Sequence, residues 1–274
     1  MTGPEVTIHP TATVDPRAQL GSGVFIGPYC QVGPGAVLHR NVRLEGHVVV
    51  VGSTEIGEGS RFSHHSVVGT EPQDIAYAGE ETRVEIGAGN VFREFVTIHR
   101  GTAKGGGLTK VGDRNYVMAL AHIGHDCRLG SQIILTQGAT LGGHCVVEDG
   151  ANLSGFVGVH QFCRIGRYAM IGGFSVLTQD VAPFSKVAGA RPPKYYGLNL
   201  IGLRRAGFTQ ERLKALKQIV KILFYSELNT GQALERLTAE FPSNEDCQEL
   251  VRFIGASKRG IVKKVSDQWD LESG

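Results

Sequence analysis

All ten histidines of this 274-residue chain lie between His9 and His160, and five of them, His99, His122, His125, His144 and His160, lie close together. Histidine is the side chain whose ordinary pKa, about 6.5, lets it take and return a proton near neutrality. His125 is followed by Asp126, and Gly143 comes further along the chain. If the interval from 125 to 143 closes one turn of structure, a backbone N–H without a side chain lies beside the imidazole. A base next to a bare amide suits acyl transfer to a hydroxyl: the ring takes the proton and the amide holds the oxyanion. A metal chemistry competes, because His122-x-x-His125 could offer two imidazoles to zinc. Base chemistry is preferred, and residue types alone leave both open.

Positions 125 and 143 meet if the chain winds into coils of that length, and its apolar residues follow such a period. Every sixth residue from Ile8 is large and apolar: Ile8, Val14, Leu20, Ile26, Val32, Leu38, Leu44, Val50, Ile56, Phe62 and Val68. The register resumes at Ile86, Phe92 and Ile98, and again from Val111 to Leu177. All 26 such positions are large and apolar in a chain that is 41% hydrophobic, which excludes coincidence. The fourth residue after each is mostly small, as at Ala36, Ala121, Ala139 and Ala151. This is the hexapeptide repeat of a parallel β-helix. Each hexad gives a short strand and a corner, three hexads give one triangular coil, and coils stack about 4.8 Å apart. A β-sandwich would space its strands irregularly.

No histidine stands at an interior phase, so all ten are expected to face outward. The same arithmetic stacks His144 on Asp126 and Gly143 on His125. Neighbours on a strand point to opposite faces, so a His125–Asp126 contact needs a corner between them. Cys127, Cys145 and Cys163 recur at the same three-hexad interval, and a stacked interior row of small, soft side chains accounts for them without a ligand. The period is interrupted at 72–83 and 100–110. Both segments read as loops inserted into a rigid scaffold, where function often resides or an edge is covered.

Thirty-eight glycines exclude a helical bundle, yet fall short of the one in three that collagen requires. Charged residues are 20% of the chain, so it is no disordered polyelectrolyte. A net charge of +2 gives no reason to expect nucleic acid. No apolar run approaches the roughly 20 residues of a membrane span, and MTGPEVTIHP lacks the features of a signal peptide. Five cysteines without a CxxC pair read as reduced thiols in a cytoplasm.

The repeat stops after Pro183, and the chain divides into a β-helix over 1–190 and a helical domain over 191–274. Apolar spacing predicts helices over 209–228 and 231–240, and a third from near Ser243 with Asp246 as its capping signal. The tail from 261 has one aromatic, Trp269, and no period. The part from Arg191 onward carries a net charge of +4 and the remainder −2. A basic cap could receive an acidic partner or a phosphate, and a solvated face explains it equally well.

TRVEIG, VTIHRGT, GGGLTKVG, AHIGHDC, VHQFC and QDV, in this order on this repeat, resemble the UDP-N-acetylglucosamine 3-O-acyltransferases, which open lipid A synthesis. The resemblance covers essentially the whole chain. GGGLTK and HIGHDC are its specific parts, whereas the bare repeat is common to many transferases. It implies a mainly β, left-handed coil with a C-terminal helical domain, in a cytoplasmic homotrimer with sites between subunits. It implies transfer of a (3R)-3-hydroxyacyl group from acyl carrier protein to the 3-hydroxyl of UDP-N-acetylglucosamine, without metal or cofactor.

Carried over motif by motif, the resemblance makes His125 the general base, Asp126 its orienting partner and the Gly143 N–H the oxyanion donor. It lines the sugar and acyl cleft with His99, His122, His144, His160 and Gln161, and brings in Gln73 and Asp74 on the first loop, from the adjacent subunit. Asn199 and Arg205 become nucleotide contacts after a one-residue shift, with Arg205 on the diphosphate. Met170 and Gly173 become the acyl-chain ruler, and glycine at 173 implies a long chain. Three positions depart from the family pattern: Ile201 where an acid is usual, Ala76 where a lysine is, and Leu120 where an asparagine is. A variant that acylates a 3-amino sugar stays open. Arg164, Arg167, Arg204 and Lys221 are the cations that charge alone offers to acyl carrier protein.

Other readings have their own marks. A γ-class carbonic-anhydrase-like zinc hydratase shares the fold, but its wider His-x4-His spacing is not found. The later N-acyltransferase of the same pathway normally carries an additional N-terminal domain, for which a repeat starting at Ile8 leaves no room. A purely structural β-helix gives no reason for His125, Gly143 and the loop motifs to coincide.

Overall fold

The computed structural model describes residues 5–265. Short strands, most of them a residue pair, recur at each hexad and form three sheets of eleven, nine and eight strands among the described residues. These sheets are the faces of a triangular prism. The first face runs from Thr7–Ile8 through Phe25–Ile26 and Arg43–Leu44 to Met170–Ile171. The second includes Thr97–His99, His122–Ile123, Thr140–Leu141, Gly158–Val159 and Val176–Leu177. The third includes Leu108–Val111, Arg128–Leu129 and Val146–Val147. Ile123 pairs in parallel with Leu141, and Leu141 with Val159, so the stacking interval is the expected three hexads.

The hexad residues fill the prism. Ile26, Leu44, Phe62, Ile98, Ile123, Leu141 and Ile165 are fully buried, and each such side chain contributes roughly 1.5–3 kcal/mol of burial. Ile8 is 44% exposed because the first coil has no coil beneath it. The small phase is buried as well, including Cys127, Cys145 and Cys163, and all five cysteines are unbridged. At most corners the third residue after the hexad position adopts left-handed φ even when it is not glycine, as do Asp126 (60°) and His144 (61°). Asp and His tolerate that region better than bulkier residues.

The first loop is displaced by one residue, since the strands around it end at Thr70 and begin at Arg83, and the second is shorter than expected, since the strand after it begins at Leu108 rather than Val111. Arg83–Ile86 and Leu108–Val111 pair with each other along their whole length, which draws Leu108, Thr109 and Lys110 into the third face.

The repeat does not stop at Pro183. Ser185–Ala188 adds to the first face in parallel, and Lys194–Leu198 returns antiparallel to it. The expected division between residues 190 and 191 falls in the turn of this hairpin. Among the described residues four helices follow: α1 (Leu200–Arg205), α2 (Gln210–Tyr225), α3 (Thr230–Glu240) and α4 (Glu245–Gly255). α1 is too short to show a period and was not expected. α4 is capped by Asn244, whose side chain accepts the Cys247 N–H, not by the Ser243–Asp246 pair. Asp246 instead receives two hydrogen bonds of 2.7 Å from Arg212, tying α4 to α2. Trp269 lies outside the described residues. No helix among the described residues is long and apolar enough to cross a membrane.

Candidate active site

The corner between the second and third faces carries the chemistry. It closes after Ile123 with Gly124, His125 and Asp126, and one coil on, after Leu141, with Gly142, Gly143 and His144. The turn that gives Asp126 its positive φ lets two sequence neighbours point the same way. His125 Nδ1 lies 2.8 Å from Asp126 Oδ2, which places the proton on Nδ1 and leaves Nε2 able to accept one. The His125 side chain is only 12% exposed. It lies across the backbone of Gly143, where an added Cβ would sit 2.5 Å from Cε1 and 2.6 Å from Nε2. The glycine is required by this close approach.

Asp126 is buried and held from several sides. Thr102 donates its backbone N–H to Oδ1 at 2.9 Å and its hydroxyl to Oδ2 at 2.7 Å, and the Asp126 N–H donates to Thr109 Oγ1. A Cβ on Gly105 would collide with the carboxyl group. Thus RGT and GGGLTK are one cradle, whose glycines let the second loop close over the carboxylate. His144 stacks on Phe162 and sits edge-on to His125, with Nε2 3.7 Å from Asp126 Oδ2.

His122 and His99 stand beside this pair on the second face. Thr97 Oγ1 lies 2.8 Å from His122 Nδ1. Burial first, then the neighbouring His99 and His125, push the His122 pKa down to about 4. Burial also lowers that of His144, opposed by the Asp126 charge. His99 faces away from the prism interior yet is buried, because the first loop folds over it and the Glu71 carbonyl accepts from its Nδ1. Outward phase therefore did not mean solvent.

A groove of about 470 Å³ runs along this face and gathers Gln73, His99, His122, His125, Gly143, His160 and Gln161, with Thr140, Val176 and Arg191. Gln73 thus lines the groove of its own chain. Asp74 pairs with Lys104 of the second loop at 2.6 Å; that bond first, then the Ala76 amide, lowers its pKa.

The other expected residues lie elsewhere. Met170, Asn199 and Arg205 line a separate cavity of about 310 Å³ against the first face, with Lys186, Arg204 and Lys217. The Asn199 side chain is already engaged: it accepts the Gly202 N–H to start α1 and donates to the Tyr168 carbonyl. Gly173 sits at the corner between the first and second faces, where a Cβ would meet Gly155 O at an ordinary 3.5 Å. Two of the four cations assigned to a carrier are spent inside the molecule. Arg164 lies over the Phe253 ring and donates to its carbonyl, and Arg167 pairs with Glu249.

Arg191, Thr102 and Gly105 were given no individual role by the sequence, and a signal at the corners went unread. Pro10, Pro16, Pro28 and Pro34 occupy the second residue after a hexad position, and Pro183 does so after Val181, which is buried and pairs with Ile165. Proline has no N–H, so a position that welcomes it is one whose amide needs no partner. His125, Gly143 and Gln161 occupy that same position, and the Gly143 N–H has no acceptor among the described residues.

Residues 17–52, coils of this prism, match the bacterial transferase hexapeptide family of six repeats. Residues 180–262 match the second domain of UDP-N-acetylglucosamine O-acyltransferase. The acyl-[acyl-carrier-protein]–UDP-N-acetylglucosamine O-acyltransferase of Alkalilimnicola ehrlichii is 47% identical over 93% of this chain and 99% of its own. The UDP-N-acetylglucosamine acyltransferase of Francisella novicida superposes with a TM-score of 0.91 at 37% identity, covering 96% of this chain and 95% of the other. LpxA from Acinetobacter baumannii does so with 0.90 at 39%, covering 93% and 99%. The chain belongs to the acyl-[acyl-carrier-protein]–UDP-N-acetylglucosamine O-acyltransferase family, and its coil is the left-handed parallel β-helix of that family.

Proposed function

We propose that this protein transfers a (3R)-3-hydroxyacyl group from acyl carrier protein to the 3-hydroxyl of UDP-N-acetylglucosamine, the first step of lipid A synthesis. The carrying observation is the His125 imidazole, fixed at Nδ1 by a buried carboxylate and lying on the backbone of Gly143. His125 Nε2 takes the proton of the sugar hydroxyl as its oxygen attacks the thioester carbonyl. The Gly143 N–H holds the oxyanion. Collapse breaks the C–S bond, and the proton passes from His125 to the departing thiolate. Asp126 orients the ring. No cysteine is placed to form an acyl-enzyme, since all five are buried.

The working unit is proposed to be a cytoplasmic homotrimer. Phe156 and Phe174, 51% and 73% exposed, belong to a largely aromatic column along the corner between the first and second faces, with Tyr29, His47, His65, Phe95 and Leu120. Three copies meeting at that corner would set the first face of one against the second face of the next. The cavity with Met170, Asn199 and Arg205 would then complete the neighbour's groove. Its cations suit a diphosphate, with Arg205 in contact, and Met170 and Gly173 would bound the acyl chain. His99, His122, His144, His160, Gln161, Gln73 and Asp74 would bind sugar and acyl group.

The test is a mass-spectrometric transfer assay that offers UDP-N-acetylglucosamine and its 3-amino analogue, with carrier-bound hydroxyacyl chains of graded length. Ester product is expected on the hydroxyl sugar, and His125→Ala is expected to lose about 10²–10⁴-fold in turnover while remaining folded. Product on the amine alone would move the substrate; a fully active His125→Ala would sink the mechanism. His125, Asp126 and His144 also hold ligand atoms close enough for one metal ion. A zinc hydratase would instead bind zinc stoichiometrically, lose activity on chelation and transfer no acyl group.

A further inference from the structure

The peptide between Gly142 and Gly143 bears the N–H assigned to the oxyanion, and little holds it. Its N–H is unbonded among the described residues, and no backbone amide reaches its carbonyl. Neither flanking residue has a Cβ to bias the rotation of that plane. Neither could acquire one, because a Cβ on Gly142 would lie 2.8 Å from the Gln161 nitrogen, and one on Gly143 would enter the His125 ring. The carbonyl of Gly142 has a single hydrogen bond, from the thiol of Cys127 at 3.1 Å. That thiol is fully buried in the prism directly behind the corner.

We propose that Cys127 is a positioning residue for the reaction: its thiol holds the Gly142 carbonyl inward and thereby keeps the Gly143 N–H turned to the groove. The carbonyl and the N–H lie on opposite edges of one rigid plane, so fixing one aims the other. An inward bond from the small phase to the corner carbonyl of the next coil recurs in this prism: Ser60 Oγ donates to Gly87 O at 2.9 Å and Ser66 Oγ to Arg93 O at 3.0 Å. Cys145 likewise donates to His160 O at 3.3 Å, but that carbonyl also receives the Cys163 N–H. Only at Gly142, within this row of thiols, does the orientation of a working amide depend on the thiol alone.

The inference rests on the reading of Gly143 as oxyanion donor, and its test separates the two. Cys127→Ala, Cys127→Ser, Cys163→Ala and His125→Ala are compared for kcat, KM for UDP-N-acetylglucosamine and Tm. Cys127→Ala is expected to lower kcat by about 3–10-fold with KM unchanged, the size of a weak S–H···O bond. Cys127→Ser is expected to restore kcat to within about twofold, because serine makes this bond elsewhere in the prism. Cys163→Ala, an equal loss of volume further along the same row and away from Cys127, is expected to lower Tm similarly and leave kcat unchanged. Wild-type kcat in Cys127→Ala, equal kcat losses in both alanine variants, or a serine variant that recovers Tm but not kcat would each overturn the positioning role. An inactive His125→Ala beside a fully active Cys127→Ala would remove only that role, whereas an active His125→Ala would remove the reading beneath it.

Discussion

The corner between the second and third faces is built twice over, once in the lower coils and once in the upper. After Val14 it reads Asp15, Pro16, Arg17, and after Val32 it reads Gly33, Pro34, Gly35. After Ile123 it reads Gly124, His125, Asp126, and after Leu141 it reads Gly142, Gly143, His144. The ladder beneath is the same in both regions, each strand pairing with the one three hexads further on. What differs is the second residue. In the two lowest coils a proline ring occupies it; in the coils of Ile123 and Leu141 an imidazole and then a bare amide do. The β-helix therefore leaves an unneeded amide at this position, and side-chain choice decides whether it is silenced or used. A base also needs its carboxylate, and the second loop that encloses Asp126 reaches only the upper coils.

That contrast can be broken at its strong end first. Gly143→Ala should cost about 10²–10³-fold in turnover, the usual effect of disturbing an oxyanion donor, because its Cβ must displace His125. A fall of less than tenfold would mean that the added Cβ is accommodated and that the close approach of His125 to this backbone is not needed for turnover.

A smaller effect lies in pH. The folded pKa of His122, about 4, lies below the ordinary 6.5, so the unfolded chain binds the proton first as pH falls. Stability should be intact above about 6.5 and decline toward pH 4. His122→Gln should flatten that part of the Tm profile; an unchanged slope would assign acid sensitivity elsewhere. The smallest effect is expected in the lower coils. Pro34→Gly opens an amide at the same position, and should lower stability by about 0.4–1 kcal/mol with no change in turnover. A change in turnover there would show that the two regions are not independent.

The prism was legible because its core has one period and each apolar residue is buried for the same reason. The pairing of His125 with Gly143 followed from that period alone. What aperiodic segments do was not legible. Nothing in RGT or GGGLTK reveals that their backbone encloses Asp126, since that depends on how a loop folds over a neighbouring coil. Asn199 reads equally as a ligand or a helix cap, and only the end of the hairpin at Leu198 makes it a cap. Met170 and Gly173 belong to another part of the prism, the first face and its corner with the second, which the six-residue period alone does not relate to His125.

The three-faced coil has a consequence for how such a chain can change length. An insertion of one hexad between Leu129 and Leu135 would keep every interior position apolar and satisfy the core. It would also carry every later coil one face around the prism, so that Gly143 no longer stood over His125. Inserting a whole coil at Leu135 would restore the face but lift Gly143 one storey away. The scaffold is thus tolerant of such edits as a folded object and intolerant of them as a catalyst. Natural length variation compatible with function should collect below the first loop or beyond Leu177, outside the span that joins base to amide.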